Sequence, residues 1–95
     1  MTIMNELENC RKEIDEIDQQ LIELFERRMN VAAKVAECKA ENNLPIYNGE
    51  RESQVISNNV HRLKDDRYEI LARRFFIGVM ELSRELQKEV IKRLK

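Results

Sequence analysis

Residues that turn or break a chain are nearly missing from this protein. Its 95 residues include one proline, two glycines and no tryptophan, and aromatic side chains make up 5%. Strands need turn punctuation between them, so a sheet-rich fold is excluded and long helices are expected. Two cysteines and one histidine are too few for a convincing cluster of metal ligands, and no metal is expected. No apolar run approaches the ~20 residues of a membrane span. The opening "MTIMNELENCRKEID" lacks the cationic start and apolar core of a secretory signal, so a soluble, cytoplasmic chain is expected.

Charge removes a further class. Seventeen basic and eighteen acidic residues leave a net charge of −1, with the two signs interspersed. That balance gives no general electrostatic grip on nucleic acid. The closing "IKRLK" ends an amphipathic helix and reads as its solvated end.

What is present is helical periodicity. Leu7, Cys10, Ile14, Ile17, Leu21, Leu24, Arg28, Val31, Val35 and Cys38 recur in alternating steps of three and four, and all but Arg28 are apolar. The pattern runs from about Glu6 to about Glu41, where "NNLP" stops it. Asn42 and Asn43 suit a helix C-terminus, and Pro45 cannot continue one. "YNGER" opens a second helix with Asn48 as its N-cap, and Val55, Ile56, Val60 and Leu63 form its apolar face. "LKDDR" is a polar turn, with Asp65 or Asp66 capping a third helix from near Tyr68 to the C-terminal end. The fold expected is all-α, three helices in a single domain over residues 1–95.

The first helix is too long for so small a domain. About 36 residues extend ~54 Å, whereas a compact domain of this size is roughly 30 to 35 Å across. Part of the apolar seam would be left bare, and a bare seam marks a partner. The simplest partner is a second copy about a two-fold axis, so an intertwined homodimer is expected. The alternative is a monomer with a frayed or bent first helix. Cys10 and Cys38 both lie on the seam, about 42 Å apart along it, and cannot bridge within one helix. They are read as buried free thiols, with a disulfide between chains as the alternative.

Polar residues interrupt both long helices. A buried guanidinium at Arg28 needs an anionic partner, although helical seams also use an occasional polar residue to set register. On the third helix Phe76, Met80, Ser83, Gln87, Val90 and Leu94 share one stripe, beside Phe75, Val79, Leu82 and Leu86. Ser83 and Gln87 sit one turn apart inside this wide apolar face, as a hydrogen-bonded core pair or as part of a ligand pocket. Lys39 returns to within about 20° of the Arg28 face at a distance of roughly 16 Å. Arg51 and Glu52 open the second helix, whose N-terminus favours anions. Two arginines, a lysine, Ser83, Gln87 and one carboxylate suit a small ligand bearing two carboxylates and a hydroxyl. Arg11 lies about 25 Å from Arg28 along the same helix. Antiparallel pairing of two first helices about residue 24 would bring it between Arg28 and Lys39 of the other chain.

With "CRKEIDEIDQQLIELFERRMNVAAKVAECK", "LPIYNGERE" and "ELSRELQ" taken together, the chain resembles the all-helical chorismate mutases of bacteria from about Glu6 to Val90. The resemblance implies an intertwined dimer of three-helix chains that converts chorismate to prephenate, in phenylalanine and tyrosine biosynthesis, without a cofactor. It assigns the substrate carboxylates to Arg28 and to Arg11 of the partner subunit. Lys39 and Gln87 would donate to the ether oxygen, and Glu52 would accept the ring hydroxyl. Arg51 and Ser83 would add carboxylate contacts or orientation. The family usually carries aspartate where this chain has Asn48, which keeps the capping capacity and drops the charge. An isochorismate–pyruvate lyase of the same fold and a non-catalytic helical dimerisation module are the alternatives. His61 reads as a surface residue, and Tyr47 and Tyr68 carry no signal. No amino-acid-binding regulatory domain is evident.

Overall fold

A computed structural model describes residues 3–94. Its elements in chain order are α1 (Ile3–Glu41), α2 (Gly49–His61), a 3-10 turn (Asp66–Tyr68) and α3 (Glu69–Leu94). The all-α, three-helix expectation is met, and no strand occurs among the described residues.

The stops and starts follow from the local sequence. Asn43 ends α1 in the left-handed region, at φ 55°, a conformation that asparagine tolerates better than most residues. There the amide of Leu44 donates to the carbonyl of Lys39 at 2.8 Å and that of Asn43 to Ala40 at 3.3 Å. This pair of bonds satisfies carbonyls that the helix end would otherwise leave open. Asn48 then caps α2, its side chain accepting from the Arg51 amide at 3.1 Å, while Glu50 and Glu52 place negative charge in the first turn. Asp65 caps the 3-10 turn by accepting from the Arg67 amide at 2.9 Å.

The chain divides into two compact units, Met1–Val31 and Ala32–Lys95. The described part of the first is helical throughout, and its seam is bare: Ile14, Ile17, Leu21 and Leu24 are all exposed, Ile17 at 58%. Arg28, on the same seam, is half-buried. The second unit holds the end of α1, α2, the turn and α3, with α2 packed on α3. Its buried apolar residues are Ala32, Ala36, Val55, Val60, Val79 and Met80. Two alanines and three valines among six make a small core.

Two sequence expectations are modified. Cys10 and Cys38 are free and exposed in the single chain, not buried, because nothing within the chain covers the seam positions they occupy. The α3 face is only partly used: Val79 and Met80 are buried, whereas Phe75 and Leu82 are exposed, as are Ile70, Leu71 and Ile77 nearby. Gly78 lies on that bare side, and a methyl group added there would meet nothing within 4 Å. His61 is exposed as expected, with its ring Nδ1 2.8 Å from the Ser57 carbonyl.

Candidate active site

In the second unit, α3 presents two polar residues inside its buried face. Ser83 and Gln87 are each 7% exposed. They stand one helical turn apart, and Gln87 Nε2 donates to Ser83 Oγ at 3.0 Å. Lys39, in the last turn of α1, brings its ammonium to the same place. Its Nζ donates to the Ile46 carbonyl at 2.6 Å and makes a longer contact of 3.5 Å to Gln87 Oε1. The sequence grouped Lys39, Ser83 and Gln87 as one lining, and the structure brings these three together.

The donor count of this network matters for chemistry. An ammonium has three N–H groups and an amide nitrogen two. Ile46 and Gln87 engage two of the Lys39 protons, and Ser83 engages one of Gln87's. One proton on each remains for a ligand. Desolvation strengthens such donors, because water no longer competes for the acceptor.

A second polar cluster lies beside the first. Arg84 follows Ser83 on α3, and its Nη1 donates to Glu52 Oε1 on α2. The side chains are 27% and 20% exposed respectively. The Arg84 guanidinium also sits over the Tyr47 ring, 5.5 Å from its centroid, within cation–π range. Hydrogen bonding to Glu52 raises the Arg84 pKa above its ordinary value, with partial burial opposing and the Glu52 charge adding. Glu52, expected to accept a ligand hydroxyl, therefore already accepts from a cation. A carboxylate offers about four lone-pair sites, so further acceptance remains open.

The other expected residues divide. Asn48 and Arg51 meet, but through the helix cap: the Asn48 side chain binds the Arg51 backbone amide, and the Arg51 side chain is exposed. Arg11 and Arg28 belong to the first unit, where Arg11 is exposed. Sequence reasoning missed three participants. Arg84 looks like any charge on a solvated helix face, Tyr47 like a loop aromatic, and the Ile46 carbonyl is main chain.

The comparisons with known proteins agree on one family. Residues 10–88 match the family described as chorismate mutase type II. The chorismate mutase of Methanocaldococcus jannaschii is 30% identical over 90 residues, covering 94% of this chain and 91% of that protein. The bifunctional chorismate mutase/prephenate dehydratase of Aquifex aeolicus is 38% identical over 65 residues, 68% of this chain but only 18% of the relative. The matched stretch thus spans under a quarter of the length of such longer relatives. Among solved structures, a chorismate mutase from Helicobacter pylori in complex with prephenate superposes with a TM-score of 0.83 at 36% identity, covering 96% of this chain and 99% of that one.

The Gln87–Ser83 bond generates a stability prediction. Ser83→Ala removes the acceptor and leaves a buried amide proton unsatisfied, at a cost of about 1–3 kcal/mol. Urea denaturation of the variant beside the parent measures it, and an unchanged midpoint would show that the bond contributes nothing.

Proposed function

The chain belongs to the chorismate mutase type II family, and from that premise we propose that it rearranges chorismate to prephenate as a cytoplasmic homodimer. The observation that carries the reading is the Lys39–Gln87–Ser83 network, in which the Lys39 ammonium stands 3.5 Å from the Gln87 amide oxygen and Ser83 holds that amide on a buried turn of α3, leaving a proton on each nitrogen outside these bonds. The reaction is an intramolecular Claisen rearrangement. The ether C–O bond breaks ahead of C–C formation, and negative charge grows on the oxygen as it does. Donors fixed in advance stabilise that growing charge more than the ground state, which is what lowers a barrier. No nucleophile, proton transfer or cofactor is required.

The remaining roles belong to the same proposal. Arg28, with Arg11 of the partner subunit, holds the two substrate carboxylates, and the clamp keeps the enolpyruvyl arm over the ring in its reactive conformer. Glu52 accepts the ring hydroxyl. Asn48 lines the site at the cap of α2, and Arg51 and Ser83 assist carboxylate binding or orientation. Support for the second copy comes from the bare apolar residues of α1 and α3 and from the open space at Gly78, since uncovered apolar surface of this extent marks an interface. The free thiols of Cys10 and Cys38 suit a reducing compartment, and among the described residues no helix is long and apolar enough to cross a membrane.

The deciding experiment is an ultraviolet assay of the purified chain with chorismate and, separately, with isochorismate, identifying products. Prephenate from chorismate is expected. Salicylate and pyruvate from isochorismate, without comparable prephenate, would transfer the function to a lyase. Lys39→Ala should lower kcat by more than the roughly 10²–10³-fold typical of losing one neutral oxyanion donor, and a variant of near-full kcat would remove Lys39 from the mechanism.

Gln87 sets the pH dependence. A neutral amide donates at any pH, so the parent's activity should be flat between about pH 5 and 8. Gln87→Glu donates only when its carboxyl is protonated, so its activity should rise as pH falls. A pH-independent Gln87→Glu enzyme contradicts the assigned role.

The shared site has its own test. Arg11→Ala and Arg28→Ala should each be inactive alone. Unfolded together and refolded, they should regain about a quarter of parental activity, because half the dimers carry one intact site of two. Failure to recover any activity, with mixed dimers demonstrably formed, would place both arginines in one chain's site.

A further inference from the structure

Among the described residues, Arg84 is the one half-buried cation of the second unit that the proposed chemistry does not use. It touches two things: the carboxylate of Glu52 on α2 and the ring face of Tyr47 in the connection between α1 and α2. That connection carries the Ile46 carbonyl, which takes a proton of the Lys39 ammonium at 2.6 Å. Lys39 in turn reaches Gln87, which is on α3 one turn beyond Arg84. The contacts therefore close a circuit that leaves α3 at Arg84 and returns to it at Gln87.

Tyr47 also lies close to the start of α2. A methyl group built on Gly49 would lie 2.8 Å from Tyr47 Oη and 3.2 Å from Cζ. The ring thus lies against the first residue of α2, where only a residue without Cβ leaves it in place. Arg84 holds the ring from above and the start of α2 through Glu52. A guanidinium is suited to both at once, being planar enough to stack and forked enough to bind a carboxylate. A lysine at this position could pair with Glu52 but would stack less well.

We propose that Arg84 is a positioning residue: it aims Glu52, and through Tyr47 it fixes the Ile46 carbonyl that orients the Lys39 ammonium. The proposal rests on reading the site as that of a chorismate mutase, and it assigns Arg84 no contact with substrate. Loss of Arg84 leaves every substrate-binding group present but slackens the geometry of two of them. Such misplacement acts on the chemical step, where a shift of about 1 Å is worth up to ~10²-fold.

The test is kinetic and structural together. Arg84→Met should lower kcat about 10- to 100-fold while KM for chorismate changes less than about threefold, and Arg84→Lys should recover part of the loss. In the Arg84→Met background, Glu52→Gln should cost less than it does in the parent, since Glu52 is already misaimed. Tyr47→Leu, at a position 62% exposed and so tolerant of change, should lower kcat in the same direction with the ion pair intact. It serves also if Arg84→Met does not fold. Backbone order parameters of Ile46, Tyr47 and Asn48 should fall in these variants. A parental kcat in both Arg84→Met and Tyr47→Leu, or additive effects of Arg84→Met and Glu52→Gln, would overturn the proposal. A parent chain that does not turn over chorismate would overturn the function instead. The order parameters would then judge Arg84 alone, and unchanged values would count against it.

Discussion

The ammonium of Lys39 is the constraint around which the second unit is arranged. A lysine in the last turn of a helix would ordinarily extend into water. Here it is retained by a main-chain carbonyl at 2.6 Å and reaches a buried amide on α3. Retention requires the carbonyl of Ile46 to point back at the helix it has just left. Asn43 makes that possible, since its left-handed backbone reverses the chain within a few residues. Asn48 then starts α2 at once. The tight connection and the two asparagines are thus part of how a charge is held, beyond joining two helices.

The same constraint explains why Ser83 and Gln87 are buried without being orphaned. An amide inside an apolar face is costly when unmatched. Gln87 donates to Ser83 and faces Lys39, and no buried side-chain nitrogen or oxygen among the described residues lacks a partner. A polar layer that merely sets helix register needs a partner on one facing helix. This network joins α1, the following connection and α3, which is more than register demands and suits a site with a fixed charge distribution.

Much of the fold was legible in the sequence because its signals are local. Step-of-three-and-four periodicity, Pro45, Asn43 and Asn48 act over a few residues and where expected, while Asp65 caps the 3-10 turn ahead of α3 instead of α3 itself. The α1 start near Glu6 fell three residues inside the observed Ile3, the ordinary softness of helix ends. The Lys39, Ser83 and Gln87 grouping was readable because polar residues on an apolar stripe are conspicuous. Arg84 was not readable: in "SREL" it looks like a solvated charge, and its value comes from Glu52 and Tyr47, more than thirty residues away in sequence. The bare faces at Phe75 and Leu82, and the exposed thiols, show the complementary limit. Periodicity reports which side of a helix is apolar, but whether its own chain covers that side is decided by how much chain there is.

The small core has a consequence for quantity as well as for shape. Two alanines, three valines and a methionine exclude too little water to offset the ordering of so many residues unaided. If a second copy covers the bare stripes, folding and association become a single bimolecular equilibrium, and stability acquires a concentration scale. Dilution then acts as a denaturant. A cell would have to keep the chain above that threshold for any of it to be folded, so expression level, rather than sequence alone, would set how much working protein each molecule represents.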